Sequence, residues 1–166
     1  MPLKKKLFIV RHAKSTWDYE SVSDIDRPLK LSGIQNAYEM ARRLKISRNI
    51  PEYLITSPAN RALHTANIFL NVFELSYDKL KIEPQFYSQG TEEIFSFLKS
   101  MPSNWSRVMI FGHNPDFSEL ARYFAKQPII ELPTCGIIIF TFECKDWSDI
   151  SRKNLKTESL DFPKKD

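Results

Sequence analysis

Two histidines and an arginine stand directly after strand-like segments of the sequence, where they could do chemistry. Arg11 and His12 follow Leu7 to Val10, and His113 follows Arg107 to Gly112. Both segments are typical of strands buried on both faces, and parallel strands present their carboxyl ends at one sheet edge, where ligands bind. Because guanidinium and imidazole groups suit an oxyanion such as phosphate, the pattern predicts an anion site at this edge.

A second arginine follows a third predicted strand. Glu52 to Thr56 is that strand, and Ser57 with Pro58 is typical of a helix start, so Arg61 falls in the first turn of a helix. A cation is unfavourable at the positive end of the helix dipole, so we expect an anion to hold Arg61. A solvent-exposed arginine is the alternative.

Two guanidinium groups and two imidazoles around one point match a phosphoryl group, whose transfer depends on positioning and charge stabilisation. A histidine can itself be the nucleophile, which splits the displacement into two steps through a phosphohistidine. The attack needs a neutral imidazole, and neighbouring guanidinium groups favour that form. The sequence therefore favours one pocket that both binds and activates, formed by Arg11, His12, Arg61 and His113.

Other phosphatase chemistries fit the sequence less well. A cysteine phosphatase needs an arginine six residues after its cysteine, but Thr141 stands there after Cys135. An aspartate phosphatase needs paired aspartates at a strand end, whereas Asp24 to Asp26 lies in a polar stretch. A metal site needs carboxylates and histidines at ligand spacing, but Asp116 is the only carboxylate close in sequence to His113. The four glycines are scattered and form no phosphate-binding loop. We therefore expect neither a metal nor another cofactor.

Helical patterns follow the predicted strands and must position these side chains. Ser32 and Gln35 have capping-box spacing at the start of one helix, Thr91 starts another, and Asn114 precedes a third. Pro84 to Tyr87 is predicted as a further short strand. The polar segment between the first strand and the first helix is long for a loop, so we expect it to form a wall of the site.

The alternation of strands and helices predicts an α/β fold, a three-layer α/β/α sandwich with a mostly parallel central sheet. The helical patterns stop at Leu132, Gly136 to Glu143 is a late strand, and late strands without an intervening helix indicate an antiparallel edge strand. The stretch Asp146 to Asp166 is polar. The length of 166 residues fits a single domain, residues 1–166.

Composition limits the partners. The formal net charge is +4, but much of the excess lies in Lys4 to Lys6 and in the carboxyl-terminal tail, and no basic amphipathic helix suggests nucleic acid. No apolar segment has transmembrane length, and Leu7 to Val10 is too short for an export signal.

Cys135 and Cys144 would lie about 30 Å apart on one extended strand, beyond disulfide reach. We expect a cytoplasmic monomer with no nucleic-acid or membrane partner.

Five short motifs occur in one order along the chain: Arg11 to Ser15, Asp26 to Leu29, Leu31 to Gly33, Thr56 to Ala62 and Gly112 to Pro115. This combination resembles the histidine phosphatase (phosphoglycerate-mutase-like) superfamily, and more narrowly its short SixA-like phosphohistidine phosphatase branch. The resemblance extends from the first strand to about Phe142.

The resemblance implies that His12 is the phosphorylated nucleophile and that His113 also stabilises the transition state. The substrate-binding residues that we expect are Arg11, Arg61, His113, Ser15 and Asn114. Two positions depart from the family pattern: alanine replaces glycine after His12, and Cys135 occupies a turn where small residues are common. The second departure leaves a thiol near the site.

A general acid is not evident, because larger members of the superfamily supply a carboxylate from an inserted segment that this chain lacks. Asp18, Glu92 and Glu93 are the candidates, although a glutamate in a first helical turn is also favourable for structural reasons. An imidazole leaving group is easier to expel than an alcohol, so we expect phosphohistidine in proteins to be the substrate. A small-molecule phosphomonoesterase and a non-catalytic phosphate-binding module are the alternatives.

Overall fold

A six-stranded sheet is the centre of the computed structural model, which describes residues 3–164. Its strands, in chain order, are β1 Lys4–Arg11, β2 Tyr53–Thr56, β3 Leu80–Ile82, β4 Arg107–Gly112, β5 Ile137–Glu143 and β6 Leu155–Asp161. They lie in the order β3-β2-β4-β1-β5-β6. The pairs among β3, β2, β4 and β1 are parallel, whereas the β1–β5 and β5–β6 pairs are antiparallel.

Four helices cover both faces of the sheet: α1 Leu31–Ile46, α2 Asn60–Val72, α3 Thr91–Lys99 and α4 Asp116–Phe124. Met40 of α1 and Phe69 of α2 share one core cluster with Phe111 of β4. Leu98 of α3 and Phe117 of α4 belong to a second cluster on the other face. Within residues 3–164, every helix is too short or too polar to cross a lipid bilayer. The predicted α/β fold with a mostly parallel sheet is confirmed.

The antiparallel part of the sheet is larger than the sequence predicts. β5 lies between β1 and β6, so β6 and not β5 is the edge strand. β6 falls in the polar stretch Asp146 to Asp166, whose last two residues lie outside the described part of the chain. Leu155 is the buried residue of β6, and the rest of the strand is largely exposed. Backbone pairing with β5, rather than an apolar pattern, therefore forms this strand.

The predicted caps act differently from expectation. α1 starts one residue before Ser32, which makes no capping hydrogen bond. Ser57 accepts the amide of Ala59 at 3.1 Å and closes the turn before α2. Thr91 is the first residue of α3, and its hydroxyl donates to Glu119 of α4. Ser57 therefore fastens a turn and Thr91 joins two helices, and neither side chain caps a helix end.

The segment before α3 contains a strand that the sequence does not predict, Leu80–Ile82, which pairs with β2. The prediction of a strand at Pro84 to Tyr87 is wrong, because Pro84–Phe86 forms a 3-10 turn. Proline has no amide to donate to a strand ladder and suits the first position of a helical turn. Phe86 is buried in this turn and packs in the core below α3.

Gly33 lets α1 approach the chain just after β1. A Cβ at this position would lie 2.2 Å from the Lys14 carbonyl oxygen and 2.9 Å from the Lys14 amide nitrogen. The Lys30 amide donates to the same carbonyl at 2.9 Å. The start of α1 is therefore held against the segment that follows His12, with no room for a side chain between them.

We expect Gly33→Ala to lower the free energy of unfolding by about 1–3 kcal/mol, because the added methyl group must push two backbone segments apart. Urea unfolding at fixed pH measures the change. Ser32→Ala alters an exposed neighbour and is the matched control, with an expected change below about 0.5 kcal/mol. Equal stability of the Gly33→Ala variant and the wild type would show that the helix can move away freely.

Candidate active site

His12 follows β1 and lines a cavity of about 320 Å³. Its amide donates to the carbonyl of Gly112, at the end of β4, at 3.0 Å. Its Nδ1 lies 2.7 Å from the Ala13 carbonyl oxygen. Because a carbonyl can only accept, Nδ1 carries the proton and Nε2 carries the lone pair. Within residues 3–164 nothing hydrogen-bonds Nε2, which is therefore free to attack a ligand.

Three arginines line the same cavity. Arg11 reaches it from β1, Arg61 from the first turn of α2, and Arg27 from the loop between β1 and α1. Arg27 and Arg61 are only 8% and 7% exposed. Nε of Arg11 is buried and has no hydrogen-bond partner within residues 3–164. Because a buried guanidinium N–H without an acceptor is costly, the unpartnered Nε of Arg11 suits a bound anion.

Burial keeps both histidines of the cavity neutral. Burial, and then the charges of Arg61 and Arg11, lower the pKa of His12 to about 4, although its bond to Ala13 acts in the opposite direction. Burial and the neighbouring His12 lower the pKa of His113 to about 3. The two ring centroids lie 5.2 Å apart. At neutral pH His12 therefore has the uncharged form that a nucleophile needs.

Ser57 orients His113. Its Oγ lies 2.8 Å from His113 Nε2 and already accepts the amide of Ala59, so its hydroxyl proton can be donated to the ring. A ring that accepts this proton at Nε2 carries its own proton on Nδ1, which is buried and has no partner within residues 3–164. The sequence indicates Ser57 only as a helix cap. Its contact with a residue 56 positions away gives no local signal.

Asp24 is the anion that holds Arg61. One nitrogen of Arg61 donates to the Asp24 carbonyl at 2.7 Å, and the other to its carboxylate at 3.1 Å. The same carboxylate accepts from Arg27 at 3.1 Å and from the Tyr87 hydroxyl at 2.7 Å. The Tyr87 hydroxyl, and then the two arginines, lower the pKa of Asp24 to about 2, although partial burial opposes them. Asp24 therefore stays charged and fixes both arginines.

The loop between β1 and α1 forms one wall of the cavity, as the sequence predicts. Arg27 of this loop donates to the hydroxyl of Ser15, and its guanidinium carbon lies 3.2 Å from the centroid of the Trp17 ring. Ser15 lines the cavity beside Arg27. Sequence analysis missed Arg27 as a site residue, because it lies in a loop with no periodic pattern.

Asn114 also lines the cavity, but its side chain is used to fasten the fold. Its Nδ2 donates to the Leu132 carbonyl at 2.9 Å, and its Oδ1 accepts the amide and the hydroxyl of Ser118 at 3.1 and 2.8 Å. These bonds tie the segment before β5 to α4. A direct role of Asn114 in substrate binding stays a prediction.

The carboxylates that the sequence offers as general acids do not line the cavity. Asp18, Glu92 and Glu93 are all exposed. The buried residues of α3 are Ile94 and Leu98, so packing of this helix leaves its two glutamates in solvent. The structure therefore does not bring these three residues to His12.

Cys135 meets the site with its backbone rather than with its thiol. Its amide lies 3.0 Å from the carbonyl oxygens of both Arg11 and His12. Its side chain packs in the core, and this burial raises the pKa of the thiol to about 12. Cys135 and Cys144 are both free. The thiol of Cys135 is therefore protonated and unsuited to act as a nucleophile.

We expect the free energy of unfolding to fall as the pH is lowered from about 6.5, because the unfolded chain binds protons on His12 and His113 that the folded pocket excludes. His12→Asn removes one of these groups. Between pH 7 and pH 4 this variant should lose about 3 kcal/mol less stability than the wild type. Urea unfolding across this range measures the difference.

His64→Asn removes a histidine that does not line the cavity and is the matched control. It should keep the pH dependence of the wild type, because both pocket imidazoles remain. Parallel stability profiles for His12→Asn and the wild type would mean that the folded pocket binds the proton as readily as the unfolded chain does.

The sequence of this chain is similar to a known protein family and to known proteins. Residues 7–85, which include the second half of β1 and the elements from α1 to β3, match the family described as the histidine phosphatase superfamily (branch 1). An uncharacterised chloroplast protein of Arabidopsis thaliana is 27% identical over 155 residues, which cover 89% of this chain and 71% of that protein.

Solved structures share the fold over nearly the whole chain. A SixA protein of Agrobacterium tumefaciens superposes with a TM-score of 0.78 at 20% identity, covering 96% of this chain and 99% of that chain. A SixA protein histidine phosphatase in complex with tungstate superposes with a TM-score of 0.75 at 19% identity, covering 95% of this chain and 94% of that chain. The amino-terminal part of this chain, residues 7–85, therefore resembles the histidine phosphatase superfamily in sequence, and the chain has a SixA-like fold.

Proposed function

We propose that this protein is a phosphatase that moves a phosphoryl group from its substrate to Nε2 of His12 and then to water, without a metal ion. The observation that carries the proposal is the state of His12. The Ala13 carbonyl fixes the proton on Nδ1, so Nε2 has its lone pair free beside three guanidinium groups. The match of residues 7–85 to the histidine phosphatase superfamily supports phosphatase activity.

Permanent positive charges bind the phosphoryl group in this mechanism. Arg11, Arg27 and Arg61 offer forks of N–H donors to its oxygens. Nε of Arg11 and Nδ1 of His113 are buried polar atoms that lack a partner within residues 3–164. A phosphoryl oxygen that accepted from either atom would recover the free energy that an unsatisfied buried donor costs.

The bond to Ala13 also serves the second step. When Nε2 attacks, the bond from phosphorus to the leaving group breaks and phosphohistidine forms on His12. The proton on Nδ1, held by the Ala13 carbonyl at 2.7 Å, makes the phosphorylated ring a cation. When water attacks phosphorus, the ring leaves as a neutral imidazole, which is a good leaving group. The same hydrogen bond therefore supports formation and hydrolysis of the intermediate.

We further propose that the substrate is phosphohistidine carried by a protein. Transfer from one imidazole to another exchanges a P–N bond for a P–N bond, and the nitrogen that leaves phosphorus needs no proton of its own, whereas the oxygen of an alcohol leaving group does. None of the three acids offered by the sequence lines the cavity, which disfavours alcohol leaving groups. A SixA protein histidine phosphatase with bound tungstate has the same fold, which supports the choice of an oxyanion-binding phosphohistidine enzyme.

We expect His12→Ala to abolish phosphate release from a phosphohistidine-bearing protein, with a loss of at least about 10³-fold in kcat/KM, because Nε2 of His113, the other neutral imidazole of the pocket, is already bound to Ser57. Phosphate release with wild type and variant measures this loss. Intact-mass analysis of acid-free quenched wild type should show one phosphoryl group, located on His12. His64→Ala is the matched control and should keep full activity.

A simple alkyl phosphate, assayed in parallel, separates the alternatives. Turnover of the alkyl phosphate as fast as that of phosphohistidine would favour a small-molecule phosphomonoesterase. Phosphate binding that survives in His12→Ala, with no release from either substrate by the wild type, would favour a non-catalytic binding module. Turnover that persists in His12→Ala would contradict the role of this residue.

A further inference from the structure

A second cleft, of about 460 Å³, lies beside the phosphoryl cavity. The two share Arg61, His113 and Asn114 as lining residues. The other polar side chains that line the second cleft are those of Asp24, Tyr87, Ser88 and Asp116, and we call it the acidic cleft. A substrate whose phosphoryl group occupies the first cavity can extend its leaving group into the second.

Asp24 cannot be a proton donor in the acidic cleft. Its carboxylate accepts from Tyr87 at 2.7 Å and from Arg27 and Arg61 at 3.1 Å each. These donors hold it in the charged form. Its role is to fix the two arginines, and it has no proton to give at neutral pH.

Asp116 differs from Asp24 in every one of these respects. It is the first residue of α4, it is partly buried, and no arginine or lysine pairs with it within residues 3–164. Burial, and then the nearby charge of Glu119, raise the pKa of its carboxyl group, although the neighbouring Gly90 and Thr91 act in the opposite direction. The position at a helix start would favour the charged form, so these opposing effects are the stronger ones.

The chemistry of phosphohistidine requires a proton at a defined place. Cleavage of the P–N bond from a neutral ring would expel an imidazolide anion, which is a poor leaving group. A proton on the distal ring nitrogen, the one not bonded to phosphorus, lets the ring leave as neutral imidazole. Because that nitrogen points away from phosphorus, its proton donor belongs beside the phosphoryl cavity and not in it.

Resting on the function proposed above, we infer that Asp116 is the general acid that protonates the distal ring nitrogen of the departing histidine. His12 Nε2 forms its bond to phosphorus while the substrate P–N bond breaks, and that electron pair returns to the leaving ring. The Asp116 proton moves to the distal nitrogen, so neutral imidazole leaves and Asp116 becomes a carboxylate. Water then hydrolyses the phosphohistidine, and solvent returns a proton to Asp116.

Other carboxylates near the site do not fit this role. Asp18, Glu92 and Glu93 line neither cavity. Glu131 lies 3.9 Å from Arg11, but its side chain is 65% exposed and it also lines neither cavity. Within residues 3–164, Asp116 is the carboxyl group of the acidic cleft that is free to exchange a proton.

The test uses two substrates that differ in their need for a proton. Phosphoimidazole needs one on its distal nitrogen, whereas dinitrophenyl phosphate expels a stabilised anion that needs none. We expect Asp116→Asn to lower kcat/KM for phosphoimidazole by about 10²–10⁴-fold and to change kcat/KM for dinitrophenyl phosphate by less than about threefold. Asparagine keeps the shape of the side chain and suits a helix start, so α4 should persist.

Glu92→Gln is the matched control, since it removes a carboxylate of a helix start that lines neither cavity, and it should leave both rates unchanged. Retained turnover of dinitrophenyl phosphate by Asp116→Asn proves that the variant is folded. Equal losses on both substrates, or no loss on phosphoimidazole, would overturn the role of Asp116.

The same assays separate this inference from the proposed function. Wild type that hydrolyses dinitrophenyl phosphate but not phosphoimidazole would overturn the phosphohistidine substrate, and with it the role of Asp116. Loss of both activities in His12→Ala, together with equal activities of Asp116→Asn and wild type, would leave the nucleophile in place and overturn the acid alone.

Discussion

The parallel pairing of β1 with β4 at the centre of the sheet is the constraint on which the site depends. The register places the last residue of β1 opposite the last residue of β4. His12 and His113 therefore leave the two strands side by side, with ring centroids 5.2 Å apart. Leu7 to Val10 and Val108 to Phe111 are fully buried. Each such side chain stabilises the fold by about 1.5–3 kcal/mol, so core packing fixes both imidazoles before a ligand arrives.

That core also supports groups that oppose folding. The burial of Arg27 and Arg61 costs roughly several kcal/mol of hydration free energy. Each arginine forms an ion pair with Asp24 at 3.1 Å, and these pairs offset part of that cost. Cys135 adds a φ of 56°, a left-handed conformation that suits glycine better. In this conformation, the Cys135 amide donates to the carbonyl oxygens of Arg11 and His12. Buried charge and backbone strain thus concentrate at the strand ends, where the site is built.

Sequence patterns point to Arg11, His12, Arg61 and His113, which lie at the ends of buried strands or in the first turn of a helix. Such elements can be recognised from a few consecutive residues. The sequence does not identify Arg27 and Ser57 as site residues, because their partners are distant in sequence. Ser57, for example, contacts His113, 56 positions away. Asp24 is visible only as one acid in a polar loop, although it pairs with Arg61 across 37 positions. β6 escapes for a related reason, because the pairing with β5 and not its own polar sequence makes it a strand.

In the proposed reaction, different groups bind the charge of the phosphoryl group and move the proton. Guanidinium groups do not titrate near neutral pH, so the arginines can hold the phosphoryl oxygens at any stage of the reaction. Burial moves the pKa of His12 down and that of Asp116 up, the opposing displacements expected of a nucleophile and an acid. In the proposed reaction each of the two imidazoles that share phosphorus keeps a proton on its distal nitrogen. On His12, the Ala13 carbonyl accepts a hydrogen bond from the Nδ1 proton but is not basic enough to remove it. Asp116, in contrast, can give a proton to the substrate ring and regain one from solvent. This asymmetry lets the substrate ring leave while the enzyme ring stays ready for water.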